Sequence, residues 1–223
     1  DREIEEYSVP DGWFIIAAGN PRTESASSNE LPKALSNRFI HIKLETDFDN
    51  WKEWALQHNV RMEVISFLNF RQSLLFDMKL SKDSRAFPTP RSWTLLSKML
   101  DAGFADGIQM DIFSGSVGEG PAAEFIGFLN LYKSLPDVDK ILSGDYSHIP
   151  KEPNVTFALC GALVDRYKKE PKKYGLHLLR YSEKLPAEFS ILLVKDATMA
   201  DKTLWEEPEF KKWTIKRKDM LVF

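Results

Sequence analysis

The amino-acid sequence predicts a mainly α-helical chain with a small α/β remnant at its N-terminal end. Two observations predict this. At about residue 46 the spacing of apolar residues changes from every second position to about every 3.6, and it never clearly changes back. Before that point there is material for three strands at most, too few for a sheet with covered edges; after it there are enough apolar helix faces to bury a core. The expected organisation is residues 1–46, a helical region 47–145, and a helical extension 146–223.

In chain order, Ile4 to Val9 alternates loosely and stops at the turn Pro10-Asp11-Gly12, which predicts a strand or half-hairpin. Trp13 to Ala18 is nearly all apolar, as in a strand covered on both faces. A polar, serine-rich loop follows from Gly19 to Glu30, then a short helix opening at Pro32 and ending near Asn37. Phe39 to Leu44 alternates cleanly and predicts another strand. Asp49 is the expected cap of a helix carrying Trp51, Trp54, Ala55 and Leu56. Further helices are expected around Val64 to Leu68, over Arg91 to Leu100 with a stop near Gly103, and over Gly107 to Phe113. GSVGEGP is expected to be a turn leading into a helix from Pro121 to Lys133 that buries Ala122, Phe125, Phe128 and Leu129. A short helix at Asp137 to Leu142 and a linker bounded by Pro150 and Pro153 come next. The last helical patterns are Val155 to Lys169, Lys172 to Lys184, Ala187 to Ala200 and Phe210 to Lys218.

Composition narrows the function classes. The chain has 223 residues, 43% hydrophobic and 28% charged, with a formal net charge of -3, so no global positive field draws it to nucleic acid or anionic lipid. The single cysteine, Cys160, lies in the apolar run FALCGAL; it reads as a small buried hydrophobe and points to a reducing, cytoplasmic setting. Apolar runs fall far short of the roughly 20 residues of a spanning helix. The chain begins DREIEEY, without a signal-peptide pattern or an initiator methionine, so it is expected to be part of a longer protein.

Several chemistries lack their residues here. There is no GxxxxGK[ST] to cradle a triphosphate and no apolar strand ending in two acidic residues; ILLVKDA, the nearest imitation, has Lys195 inside the run. His41, His58, His148 and His177 show no metal-ligand spacing, and there is no GxSxG. Three residues can serve phosphate chemistry. Asn20 ends the apolar run and can hold a water or phosphate oxygen; its plainer role is to start a turn before Pro21. Arg38 is a permanently charged planar fork, with a surface salt bridge as its plainer role. Arg91, in FPTPRSW at the first turn of a helix, can reach a phosphate; solvation or a carboxylate partner is the alternative. The tail EEPEFKKWTIKRK is basic with one tryptophan, and reads best as a solvated helix face with Trp213 packed inward.

Taken together, WFIIAAGNP, LPKALSNRF, FPTPRSW and VGEGPAAEFIGFLNLYKSLP resemble the C-terminal half of AAA+ ATPases of the MoxR-like class. The likeness is best between Asp11 and Leu142. It implies that residues 1–46 are the end of an AAA+ α/β core, residues 47–145 a helical lid, and 146–223 an added helical extension. It also implies that Asn20 is sensor 1, that Arg38 is the arginine finger reaching the nucleotide of a neighbouring subunit, and that Arg91 is sensor 2; Arg22 is a weaker rival for a phosphate or intersubunit contact. ATP and Mg²⁺ are the implied cofactors, a hexameric homo-oligomeric ring the implied assembly, and a client protein the implied substrate. The P-loop lysine and the acidic pair of that family are not in these residues, so the chain alone is expected to be inactive. Two other classes fit the same residues: a non-catalytic helical interaction module, and an AAA+ ATPase that remodels nucleic acid through the basic tail.

Overall fold

A computed structural model of the chain describes residues 3–4, 7–19, 32–78, 86–104 and 106–218. It divides into two compact units, Asp1–Leu44 and Glu45–Phe223. The described residues are predominantly helical, as the sequence predicts.

In the first unit, β1 (Glu3–Ile4) pairs antiparallel with β2 (Tyr7–Ser8), with Glu3 opposite Ser8 and Ile4 opposite Tyr7. The predicted turn follows: Gly12 takes φ 84° and the Trp13 amide donates to the Pro10 carbonyl at 3.3 Å. The strands expected at Trp13 to Ala18 and Phe39 to Leu44 do not form. Phe14 and Ile16 are each 88% exposed and Ile40 is 92% exposed. The reason is physical. A β-rich composition sets a preference, but a strand exists only with a ladder partner and, for an apolar one, cover on its faces. Among the described residues, neither segment has a strand partner. Helix α1 (Lys33–Ser36) is one turn long, with Pro32 as its N-cap and Asn37 as its C-cap.

The second unit is built from α2 (Phe48–Gln57), α3 (Met62–Phe70), α4 (Pro90–Ala102), α5 (Gln109–Val117), α6 (Glu119–Lys133), α7 (Val138–Leu142), α8 (Pro153–Lys169), α9 (Pro171–Ser182), α10 (Ala187–Ala200) and α11 (Pro208–Arg217). Helix α2 is capped by Asp47, which accepts from the Asn50 amide at 2.8 Å, so the cap lies two residues before the expected Asp49. GSVGEGP is a sharper corner than its glycines predict. GSV completes α5, and the whole break is Gly118 at φ 90°, a backbone state that favours glycine. Pro153, the expected end of the linker, is the first residue of α8, two residues before the expected Val155, and a missing N–H costs nothing there.

One hydrophobic core runs through this unit. Phe67, Trp93, Phe113 and Phe125, all fully buried, form an aromatic cluster with ring centroids 5.2–5.6 Å apart. Helix α8 packs along α3 on one side and α10 on the other. Where α3 and α8 cross, Gly161 lets the backbones close. A Cβ built there would lie 1.7 Å from Ser66 Oγ and 2.9 Å from Ser66 Cβ. Ser66 is fixed, its hydroxyl donating to the Met62 carbonyl at 2.6 Å. Gly161→Ala is therefore expected to destabilise the chain by about 1–3 kcal/mol, as overpacked cores do. Ser66→Gly removes both obstructing atoms and is expected to restore most of the loss in a urea titration. A single variant as stable as the parent would contradict this packing.

Polar ties close the bundle. Arg166 Nε donates to Asp139 Oδ1 at 2.6 Å and its Nη2 donates to Glu170 Oε1 at 2.8 Å and Tyr174 Oη at 2.6 Å, joining α7, α8 and α9. The guanidinium holds the Asp139 carboxyl below its usual range. Lys168 Nζ donates to the Leu56 carbonyl at 2.9 Å, a cation at the C-terminal end of α2. Among the described residues no helix is long and apolar enough to cross a membrane.

Candidate functional site

The start of α4 is locked by its own sequence. Thr89 is the N-cap, and its Oγ1 accepts from the Ser92 amide at 3.0 Å while Ser92 Oγ accepts from the Thr89 amide at 2.8 Å. Pro90 occupies the first helical position. Trp93 then anchors the turn from below: it is fully buried, and its Nε1 donates to the Leu74 carbonyl at 2.6 Å. Arg91 sits between the two capping residues, so its backbone is held from both sides. Its side chain is exposed and makes no ion pair among the described residues. A cation at a helix N-terminus faces the positive end of the macrodipole, at a cost of about 0.3–1 kcal/mol. An anion placed there would meet both the guanidinium and the helix end favourably.

The approach to this helix touches a second motif singled out in the sequence. A Cβ at Gly118 would lie 3.0 Å from the Ala86 carbonyl oxygen and 3.9 Å from Phe87 Cα. The α5–α6 corner of VGEGP and the chain entering FPTPRSW are therefore in direct backbone contact. The Asp77 amide also donates to the Pro88 carbonyl at 3.2 Å, tying the same segment to the chain just after the 3-10 turn Gln72–Leu75.

Arg38 belongs to the first unit. Its amide donates to the Leu35 carbonyl at 3.0 Å, continuing the turn out of α1. Beyond it, His41 Nε2 lies 2.8 Å from the Ser36 carbonyl and 3.1 Å from Ser36 Oγ. A carbonyl can only accept, so Nε2 carries the proton and closes a small loop over residues 36–41. The Arg38 side chain is exposed at the tip of that loop, without an ion pair among the described residues. Beside it, Lys33, Ser36, Asn37, Phe39 and His41 line an open depression of about 290 Å³. Asn20 and Arg22 lie outside the described residues.

Other sequence features resolve simply. ILLVKDA is the middle of α10, not a strand. Cys160 is buried, and burial, reinforced by the Asp196 carboxylate, pushes its thiol up and away from reactivity. Trp213 is buried, with Nε1 donating to Ser190 Oγ at 3.0 Å, so it offers no free ring for stacking on a base. Among the described residues no His, Cys, Asp and Glu group could hold a metal ion.

The charge cluster that sequence reasoning missed is buried. Lys52 and Asp196 are 2% and 3% exposed, with the ammonium 2.7 Å from Asp196 Oδ1 at ion-pair distance but without hydrogen-bond alignment. Asn69 bridges them, accepting from Lys52 Nζ at 3.2 Å and donating to Asp196 Oδ2 at 3.0 Å. A signal was available. Lys52 stands on the same stripe as Ala55 and Leu56, and Asp196 on the same stripe as Leu193, both at spacings of three or four.

No family model matches the chain, and no curated protein or solved structure matches it either.

Proposed function

We propose that this chain is the sensor and lid portion of a MoxR-like AAA+ ATPase, in which ATP hydrolysis in a hexameric ring remodels or activates a partner protein. The observation that carries the reading is Arg91: a guanidinium held on a doubly capped helix start, exposed and without an ion pair among the described residues, at the end of the helix where a cation is least at home. Such a position makes sense when an anion completes it. Arg38, exposed at the tip of a hydrogen-bonded loop, has the same unpaired character and suits a group that acts across a subunit boundary. The exposed apolar runs 13–16 and 40–44 have the composition of sheet strands, which fits an α/β core to which this chain contributes only part.

In this reading Arg91 binds a phosphate oxygen of ATP from the helical lid, and Arg38 places its charge beside the terminal phosphate held by the next subunit. Asn20 orients the attacking water. ATP with Mg²⁺ supplies the phosphoryl group, and the P-loop lysine and acidic pair are contributed by another part of the intact assembly. Phosphoryl transfer depends mainly on positioning and charge stabilisation, which these side chains can provide without chemistry of their own. A lid that closes on one nucleotide state and not another converts turnover into motion.

The test is nucleotide binding and turnover by the intact assembly carrying Arg91→Ala. Loss of one charge-assisted contact is expected to weaken ATP binding, turnover or both by about 10- to 150-fold. Unaltered affinity and rate would remove Arg91 from the site. An intact protein that neither binds nor hydrolyses ATP would favour a non-catalytic helical interaction module.

A further inference from the structure

The charges on α2 and α10 face each other in crossed order. On α2 an acid precedes a base, Asp49 then Lys52; on α10 a base precedes an acid, Lys195 then Asp196. Asp49 Oδ2 lies 3.0 Å from Lys195 Nζ at the rim, with side chains 59% and 45% exposed, and Lys52 meets Asp196 in the interior. Asn69 of α3 hydrogen-bonds both members of the inner pair, reaching Asp196 through Oδ2, while Asp196 Oδ1 has only the ammonium beside it. The Phe48 ring lies 5.4 Å from the Lys52 ammonium and shields it further.

Stability alone does not account for this arrangement. Removing two charges from water costs about as much as their attraction returns, and apolar residues of similar volume usually serve as well. What the crossed order does supply is discrimination. Sliding α2 by one turn to bring Asp49 opposite Asp196 sets two carboxylates together in a buried place. Sliding it the other way, to bring Lys52 opposite Lys195, sets two ammonium groups together and strands Asp196. Each neighbouring register therefore juxtaposes like charges, which is how specificity against alternatives is built. We infer that Asp49, Lys52, Asn69, Lys195 and Asp196 form a register lock, so that α2 docks on α10 in one position or not at all. Helix α2 is the first element after the Asp1–Leu44 unit. A lock at that place leaves α2 without a half-docked position.

Exchanging the rim charges tests this on the full chain. Asp49→Lys with Lys195→Asp keeps the net charge and keeps opposite signs across both pairs. It leaves two bases on α2 facing two acids on α10, so neighbouring registers become attractive. The expected result is an unchanged far-UV spectrum with split or broadened indole NMR signals of Trp51 and Trp54. Amide exchange across α2 should rise about tenfold or more, as sub-global opening becomes easier. The neutral control, Asp49→Asn with Lys195→Gln, loses the rim pair but retains the inner one, and is expected to keep single sharp signals and parental exchange. Sharp signals and parental exchange in the charge-exchanged variant would overturn the lock. So would equal broadening in both variants, which would trace the effect to the lost rim pair and not to register.

Discussion

Replacing Arg38 with alanine is expected to lower ATP turnover of the intact assembly by about 10³- to 10⁵-fold, the range spanned by arginine fingers. The chain itself should stay folded. Arg38 is exposed and makes no ion pair among the described residues, so its loss should change stability by no more than about 0.5 kcal/mol. The loop that carries it is closed by backbone bonds and by His41, none of which involves the guanidinium. Because the proposed role is exercised on a neighbour, Arg38→Ala subunits mixed into a parental ring should suppress the parental subunits beside them. Turnover that falls only in proportion to the mutant fraction would show that Arg38 acts within its own subunit. Undiminished turnover in the pure variant would end the assignment.

Two residues beyond Arg91, Trp93→Ala is expected to destabilise the helical unit by about 3–5 kcal/mol. The side chain is fully buried among Phe67 and Phe125, at centroid distances of 5.4 and 5.6 Å, and its removal leaves a cavity that those rings cannot fill. It also strips the Leu74 carbonyl of the donor 2.6 Å away. Trp93→Phe separates the two effects: most of the packing survives, and the remaining loss should be near the 1–3 kcal/mol of an unsatisfied buried group. Urea titration of both variants decides the matter. A Trp93→Ala chain as stable as the parent would mean that this cluster is not the centre of the core. The contrast with Arg91 is useful, since Arg91→Ala should alter nucleotide handling with little effect on the urea midpoint, whereas Trp93→Ala should lower the urea midpoint.

The helices were legible wherever the apolar stripe and its punctuation agreed. Ala187 to Ala200 has a proline before it and a polar turn after it, and α10 has those bounds. Between Asp47 and Asp49 the choice of cap turns on which carboxylate meets an amide three residues on, and two aspartates so close give no composition signal to separate them. Glycine content misled at GSVGEGP, because only Gly118 needs a positive φ and the other glycines are carried within helices. The strands expected at 13–18 and 39–44 failed for another reason: pairing is a relation between segments, and a segment alone cannot display it. Arg91 was legible from local grammar, a proline and then an arginine at a helix start. The inner pair of Lys52 and Asp196 was not singled out, since its members are far apart in sequence, and only a charge on an apolar stripe hints at them.

The joint between α5 and α6 has a mechanical consequence. A corner made by Gly118 alone contains no slack, so the angle between the helices is set by one pair of torsions. The Ala86 carbonyl oxygen lies close enough that a Cβ at this joint would come within 3.0 Å of it, so a twist of the corner is felt by the chain leading to α4. The unit has the stiffness of a bracket there, with its pivot against the segment that enters α4.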